Sequence, residues 1–202
     1  MRALAIAGAI AGWAGLLLQL YILLTGPLGP VDGLWRFLAF FTILMNLLSA
    51  CMLTLAVRRK RVFSPARAWL QSASAVYMVM VGIVYVTLLQ GLWTPQGLQL
   101  IADILLHYVS PLIAVAFWLL AVPKRALKWR DSIRWTGVPL LYLGYALARG
   151  AVDGFYPYPF IDLPQIGWEK VSQNSAALLA GFILLSLVFI AIGKVAPGRS
   201  RH

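Results

Sequence analysis

The chain is 202 residues long, and 61% of its residues are hydrophobic while only 11% are charged. This composition excludes the water-soluble, disordered, collagen-like and disulfide-stapled classes, and the lone Cys51 cannot form an intramolecular disulfide. We therefore expect an integral membrane protein of the all-α class, in which residues 1–202 form a single transmembrane helical domain. The net charge of +11 has to be sorted by membrane side before it is attributed to nucleic-acid binding.

Six apolar stretches are long enough to cross a bilayer as helices, because about 20 residues span the hydrocarbon core. In chain order the predicted spans cover residues 4–25, 34–57, 68–89, 98–122, 133–149 and 168–193. We expect the first span to be retained, since Thr25-Gly26-Pro27 lacks the small-x-small pattern of a signal cleavage site. The fifth span is the shortest.

Basic residues are concentrated on one side of these spans. Fourteen of the 17 Lys and Arg residues lie near the termini or in the loops after the second and fourth spans. The positive-inside rule identifies this side as the cytoplasm and places both termini there. The opposite loops carry Asp32, Asp153 and Asp162. The basic residues therefore predict topology and contact with anionic membrane lipids, and no nucleic-acid partner is expected.

Two ionisable residues, Asp103 and His107, lie at membrane depth in the fourth span. Their i,i+4 spacing predicts that both side chains lie on one face of the helix. A carboxylate in this position can fix the imidazole tautomer and leave the second ring nitrogen able to accept a proton from a nucleophile. The alternative is a buried polar pair that holds helices together.

The second span offers a polar stripe that could face this pair. Trp35, Thr42, Asn46 and Ser49 are spaced so that they share one helical face. Thr42 is the candidate nucleophile. Its alternative is structural, because a threonine in a membrane helix commonly bonds a carbonyl of its own helix.

Depth places the candidate nucleophile and base at one level. At 1.5 Å per residue, Thr42 is expected about 12 Å and His107 about 13 Å from the non-cytoplasmic ends of their spans, with Asn174 about 9 Å deep. Asn46 and Asn174 are therefore candidates for donating hydrogen bonds to a developing oxyanion. For both asparagines the alternative is interhelical hydrogen bonding.

The sequence predicts no cofactor. A membrane haem requires two axial histidines, and His107 and His202 are the only histidines of the chain. The Cys, His and carboxylate residues have no metal-ligand spacing. A phosphate-binding loop, a dinucleotide fingerprint and a nucleophile elbow are also absent from the sequence, so any nucleophile is expected inside the membrane.

Three segments resemble motifs of a bacterial family of six-helix integral membrane proteins. Residues 35–46, WRFLAFFTILMN, resemble the family's RFF-x-FFT-x-x-x-N element, residues 106–111, LHYVSP, its second motif, and residues 147–162 with the later Asn174 its third. This family is similar to the eukaryotic androgen-induced and androgen-dependent membrane hydrolases, which cleave fatty acid esters of hydroxy fatty acids. The resemblance implies that Thr42 is the nucleophile and His107 the base.

Together, the residues and the resemblance predict an intramembrane threonine hydrolase for a lipid or other acyl ester, located in a bacterial plasma membrane. Asp103 is expected to orient His107. Arg36 and Arg149 are candidates for binding a substrate carboxylate, with snorkelling to lipid headgroups as the alternative. The second hypothesis is a transporter or lipid-binding scaffold that uses Asp103 and His107 as a proton relay or binding pair. The substrate and the oligomeric state stay open.

Overall fold

The computed structural model describes residues 1–58 and 64–195. Every regular element within these ranges is helical, which confirms the all-α prediction. The chain divides into two compact units, Met1–Lys124 and Arg125–His202. Some residues used in the sequence argument lie outside the described ranges: Arg59, Lys60, Arg61, Arg199, Arg201 and His202.

The described part of the first unit contains six α-helices. They are α1 (Arg2–Thr25), α2 (Gly29–Phe37), α3 (Phe41–Arg58), α4 (Pro65–Val84), α5 (Gly97–Ile104) and α6 (Ser110–Ala121). Two π-helical turns, in which a backbone bond spans five residues instead of four, extend this set. The first, π1 (Tyr85–Leu89), continues α4 and leads into a 3₁₀ turn at Gln90–Leu92. The second, π2 (Leu105–Val109), joins α5 to α6.

The second unit contains α7 (Asp131–Arg134), α8 (Gly137–Asp153) and α9 (Leu163–Val195). Gly154, with a φ of 72°, ends α8 in the left-handed conformation, which is less costly for glycine than for other residues. A 3₁₀ turn at Pro159–Ile161 precedes α9, which is kinked at Gly167, where φ is 74°. The last predicted span, residues 168–193, lies entirely beyond this kink.

Within residues 1–58 and 64–195, five helical segments are long and apolar enough to cross a membrane. They are Arg2–Thr25, Phe41–Arg58, Ala66–Leu92, Gly97–Ala121 and Leu163–Val195. The fifth predicted span, residues 133–149, corresponds to part of α7 and to α8, which has 17 residues. The chain therefore has several membrane-spanning helices, while the count of six and the cytoplasmic location of the termini stay predictions.

The second predicted span is interrupted. We expected one helix over residues 34–57, but α2 ends at Phe37 and α3 begins at Phe41. The sequence has no proline or glycine at this break. Phe37 and Ile43, on either side of the break, belong to one buried apolar cluster, and Phe40 packs against it, so burial of these side chains is compatible with the break.

Small residues on α1 allow other helices of the first unit to approach closely, as the sequence predicts. A Cβ at Gly12 would lie 3.1 Å from the Cβ of Ala50 on α3, and a Cβ at Gly15 would lie 2.9 Å from the side chain of Leu106 in π2. Both α3 and π2 therefore pack against α1.

Candidate active site

Asp103 in α5 and His107 in π2 form a buried pair. Nδ1 of His107 lies 3.1 Å from Oδ1 of Asp103 and 3.2 Å from the main-chain oxygen of the same residue. The side chains of His107 and Asp103 are 15% and 4% exposed. The predicted pairing on one helix face is therefore confirmed.

The surroundings of Nδ1 determine which nitrogen of the neutral His107 ring carries the hydrogen. A main-chain oxygen can only accept a hydrogen bond, so the Nδ1 atom beside the Asp103 oxygen is assigned as the protonated one. Nε2 then has the lone pair and is the ring nitrogen able to take a proton from another group. The carboxylate beside Nδ1 also stabilises the imidazolium that forms once Nε2 is protonated.

The wide turn at π2 leaves one main-chain oxygen without its α-helical hydrogen bond, and a side chain from α3 donates to it instead. The N–H of Ser110 bonds the oxygen of Leu105, where an α-helix would use that of Leu106. Nδ2 of Asn46 donates to the Leu106 oxygen at 3.2 Å and to the Thr42 oxygen at 2.9 Å. Asn46 thereby links α3 to the turn that carries the histidine.

Asn46 is not available as an oxyanion donor in this structure, contrary to the prediction. Both of its amide hydrogens are donated to main-chain oxygens, so that role would require one of these bonds to break. Among the described residues its buried Oδ1 atom meets no donor. The alternative, an interhelical hydrogen bond, describes what this side chain does.

Thr42 lies in the first turn of α3, with 8% of its surface exposed. Asn46 and Ser49 are also buried and follow it on the same helix. Trp35, expected on this face, belongs to α2 and is 47% exposed. The break before Phe41 removes it from the helical register of α3, so the polar stripe is shorter than predicted. The depth of about 12 Å predicted for Thr42, counted from residue 34, is also wrong, because Thr42 is the second residue of α3.

Tyr85, the first residue of π1, completes the cluster and is missing from the sequence predictions. Its hydroxyl donates to Oδ2 of Asp103 at 2.5 Å. Its ring stacks on the imidazole of His107, with centroids 4.0 Å apart and planes 14° from parallel. No periodicity relates Tyr85 to a carboxylate 18 residues later. The signal that could have found it is a tyrosine inside an apolar span, where the hydroxyl needs a partner.

Three further predicted site residues lie away from this cluster in the chain. Arg36 is half-buried in the last turn of α2, in the first unit. In the second unit, Nδ2 of Asn174 donates to the main-chain oxygen of Phe160 at 3.0 Å. This bond holds the 3₁₀ turn before α9 and gives the Asn174 side chain a structural role.

Arg149 in α8 is buried and does not extend towards lipid headgroups. It donates to the hydroxyl of Tyr145 at 2.9 Å, and its Nε lies 3.5 Å from a carboxylate oxygen of Asp153. Because only 3% of Arg149 is exposed, the snorkelling alternative is wrong for this residue. Its role in substrate binding stays a prediction.

The fold defines the class of the protein, an all-helical, multi-pass membrane protein. Its first unit holds a buried cluster of tyrosine, aspartate and histidine beside a polar face of α3. No protein-family model, curated protein or solved structure matches the chain. The chemistry of the cluster therefore has to be inferred from its own geometry.

Proposed function

We propose that the protein is an intramembrane hydrolase of fatty acyl esters, with Thr42 as nucleophile, His107 as general base and Asp103 as the residue that orients the base. One observation carries the proposal. Nδ1 of His107 is held by Asp103, which leaves the Nε2 lone pair available in a turn that Asn46 bonds to the helix of Thr42. Nucleophilic catalysis requires a base held by a third group close to a hydroxyl, and this linkage supports that arrangement.

The proposed reaction has two half-steps and consumes only water. Nε2 of His107 removes the hydroxyl proton while Oγ1 of Thr42 attacks the ester carbonyl carbon. The bond to the leaving alcohol then breaks, and the alcohol oxygen receives that proton. In the second half-step the same nitrogen deprotonates water, which attacks the acyl-threonine carbonyl carbon; the bond from that carbon to Oγ1 breaks, Oγ1 takes the proton back from Nε2, and the fatty acid is released. Asp103 keeps its charge and stabilises the imidazolium in both half-steps.

The proposed setting is a bundle of six spans in a bacterial plasma membrane, with both termini in the cytoplasm. α8 would supply the sixth span, because its 17 residues reach about 26 Å at 1.5 Å per residue, close to the ~30 Å of hydrocarbon. Thr42, at the beginning of α3, then lies in the outer half of the membrane. A lipid ester can reach that depth with its carbonyl near the interface and its chains in the bilayer, which favours lipid esters over soluble ones.

Labelling with a fluorophosphonate probe tests the proposal. The full chain is purified in detergent, treated with the probe and digested, and the adduct is located by peptide mass spectrometry. We expect the adduct on Thr42. We expect Thr42→Ala to abolish it, and His107→Ala to slow it by about 10²- to 10⁴-fold, the contribution of a general base.

Thr25→Ala is the matched control, because the exposed Thr25 hydroxyl donates to the oxygen of Tyr21 within α1. It should leave labelling unchanged when variants are compared at equal folded fraction. Labelling of Thr42 at full rate in His107→Ala, or an adduct only at other residues, would overturn the proposal. Esters of one fluorescent alcohol with short and long acyl chains then define the substrate, and long chains should be preferred.

A proton-relaying transporter is the second candidate function. It is favoured by the continuous contact from the Tyr85 hydroxyl through Asp103 to His107, since chains of titratable groups inside a membrane commonly carry protons. This function needs the imidazole but no nucleophile. In proteoliposomes it predicts proton flux that Thr42→Ala retains and His107→Ala abolishes.

A further inference from the structure

We infer that Tyr85 is the positioning residue of the Asp103–His107 pair: it fixes the carboxylate through its hydroxyl and the imidazole through its ring. The inference rests on the proposed function, and it assigns a role to a residue that the proposed chemistry does not use. Tyr85 is 4% exposed and touches both members of the pair.

The two contacts restrain two different rotations. The terminal torsions of aspartate and histidine are broad, so neither a carboxylate nor an imidazole plane is fixed by its own rotamer preference. The hydroxyl of Tyr85 occupies Oδ2 of Asp103 and leaves Oδ1 3.1 Å from Nδ1 of His107, an ionic contact, while the hydrogen bond of Nδ1 goes to the main-chain oxygen. The stacked ring, 14° from parallel to the imidazole, blocks rotation of that ring.

Ordinary packing does not require this choice of partner. A buried tyrosine hydroxyl needs one acceptor, which any main-chain oxygen can provide. Tyr85 instead donates to the one carboxylate that faces the histidine, at 2.5 Å, a length typical of bonds to an ionised acceptor. The bond also offsets part of the cost of a charge at membrane depth.

The backbone around Tyr85 brings it to the pair. One turn earlier, a Cβ at Gly82 would lie 3.3 Å from the main-chain oxygen of His107, so a glycine lets α4 approach π2 closely. The ring of Tyr85 also makes a T-shaped contact with Tyr108, with centroids 5.6 Å apart and planes at 81°. The tyrosine therefore contacts two residues of π2 in addition to Asp103 of α5.

This placement has a chemical consequence. With the carboxylate and the imidazole both fixed, the hydrogen stays on Nδ1 and the lone pair on Nε2, the form a general base requires. In the absence of the hydroxyl, the carboxylate of Asp103 can rotate away, Nδ1 then keeps only the main-chain oxygen as a partner, and the other tautomer gains population. Tyr85 acts through its neighbours, so it is a positioning residue and not a catalytic one.

Nitrogen NMR of the imidazole tests this in the full chain in detergent, with labelled histidine. The chain has two histidines, so His202→Ala assigns the His107 signals. Tyr85→Phe retains the stack but removes the hydrogen bond. A hydrogen bond contributes about 0.5–1.5 kcal/mol, so the ratio of the Nδ1–H to the Nε2–H form should fall by about 2- to 12-fold. Tyr85→Leu should in addition remove the ring-current shift of the His107 ring protons.

Tyr108→Phe is the matched control, since it makes the same chemical change beside Tyr85 and should leave the His107 spectrum unchanged. An unchanged tautomer ratio in folded Tyr85→Phe would overturn the inference, whatever the labelling of Thr42. A changed ratio in a protein that the fluorophosphonate never labels would support the inference and defeat the proposed hydrolase. The rate of Thr42 labelling in Tyr85→Phe should fall in proportion to the population of the Nδ1–H form.

Discussion

Two ionic pairs at i,i+4 spacing, one in each unit, are built differently. Asp103 and His107 are 3.1 Å apart and are held by Tyr85 from a separate helical segment. Arg149 and Asp153 are 3.5 Å apart in α8. The first pair depends on how segments pack, whereas the second depends on one helix.

The tyrosine beside each pair makes the difference clearer. Tyr145, which accepts from Arg149, lies one turn before it in the same helix. An arginine keeps its charge at every accessible pH, so this arrangement can hold a helix together but cannot exchange a proton. A histidine held from another segment can do both. The same i,i+4 spacing in a sequence can thus belong to a structural pair or to a reactive one.

The largest effect is expected from an Asp→Asn substitution, which we compare between the two pairs. Asp103→Asn should slow probe labelling of Thr42 by about 10²- to 10⁴-fold, because the imidazolium loses its counter-charge and the tautomer its partner. Asp153→Asn is the control and should leave the rate unchanged. Labelling rates from timed mass spectrometry decide the matter, and equal rates in both variants would remove the distinction between the pairs.

The next effect concerns stability. Arg149→Met should lower the free energy of unfolding by about 2–3 kcal/mol, because Asp153 and the Tyr145 hydroxyl lose a buried partner. This loss is smaller than for a fully buried ion pair, because the Asp153 side chain is 24% exposed and keeps some water. Denaturant unfolding in detergent measures it, with the exposed Lys170→Met as control. A stable Arg149→Met protein that loses ester turnover would instead support substrate binding by Arg149.

A smaller effect tests the link between α3 and π2. Asn46→Leu should cost about 1–2 kcal/mol, since the Leu106 oxygen freed by the π turn loses its donor in an apolar setting. It should also slow Thr42 labelling, because the nucleophile and base no longer share a fixed link. Ser49→Ala, on the same face of α3, is the control for stability. A neutral result would mean that water replaces the amide.

The smallest expected effect compares one substitution in both regions. Gly144→Ala in α8 should stabilise the protein by up to about 1 kcal/mol through helix propensity, since among the described residues nothing lies within 4 Å of the new Cβ. Gly82→Ala gains the same propensity but pushes on the main-chain oxygen of His107, 3.3 Å away. Its net change should be below about 1 kcal/mol, with slower Thr42 labelling. Equal behaviour of both variants in both assays would argue against a tight α4–π2 contact.

Local patterns in the sequence predict part of this structure. The all-helical class follows from composition, and the contact of Asp103 with His107 follows from spacing within one helical segment. The small residues Gly12 and Gly15 predict close packing, which is what they provide. The contact of Asp103 with His107 is the most local of these features, because helical geometry fixes the distance between residues one turn apart in advance.

Features that depend on packing between segments are not predictable in this way. The break before Phe41 has no breaker residue, and the side chains around it meet in an apolar cluster that includes residues of other helices. Tyr85 reaches Asp103 from another helix, so no period connects the two. The amide of Asn46 is occupied because π2 leaves the Leu106 oxygen without its α-helical partner, and the spacing of residues on α3 does not show this.

The turn at π2 makes the cluster sensitive to the number of residues in this turn. A π turn holds one residue more than the α-helical turn it replaces, so deleting a single residue there would let the helix close in α form. The bond from the Ser110 N–H to the Leu105 oxygen would become an α-helical bond, and everything downstream would rotate by about 100° relative to α5. Because Pro111 has no N–H, the Leu106 oxygen would still lack a backbone donor, but it would no longer be held in its present position against Asn46. Many apolar replacements in this stretch would be silent, but a change in its length would not. We therefore expect related sequences to vary in the apolar residues of π2 but to keep its length.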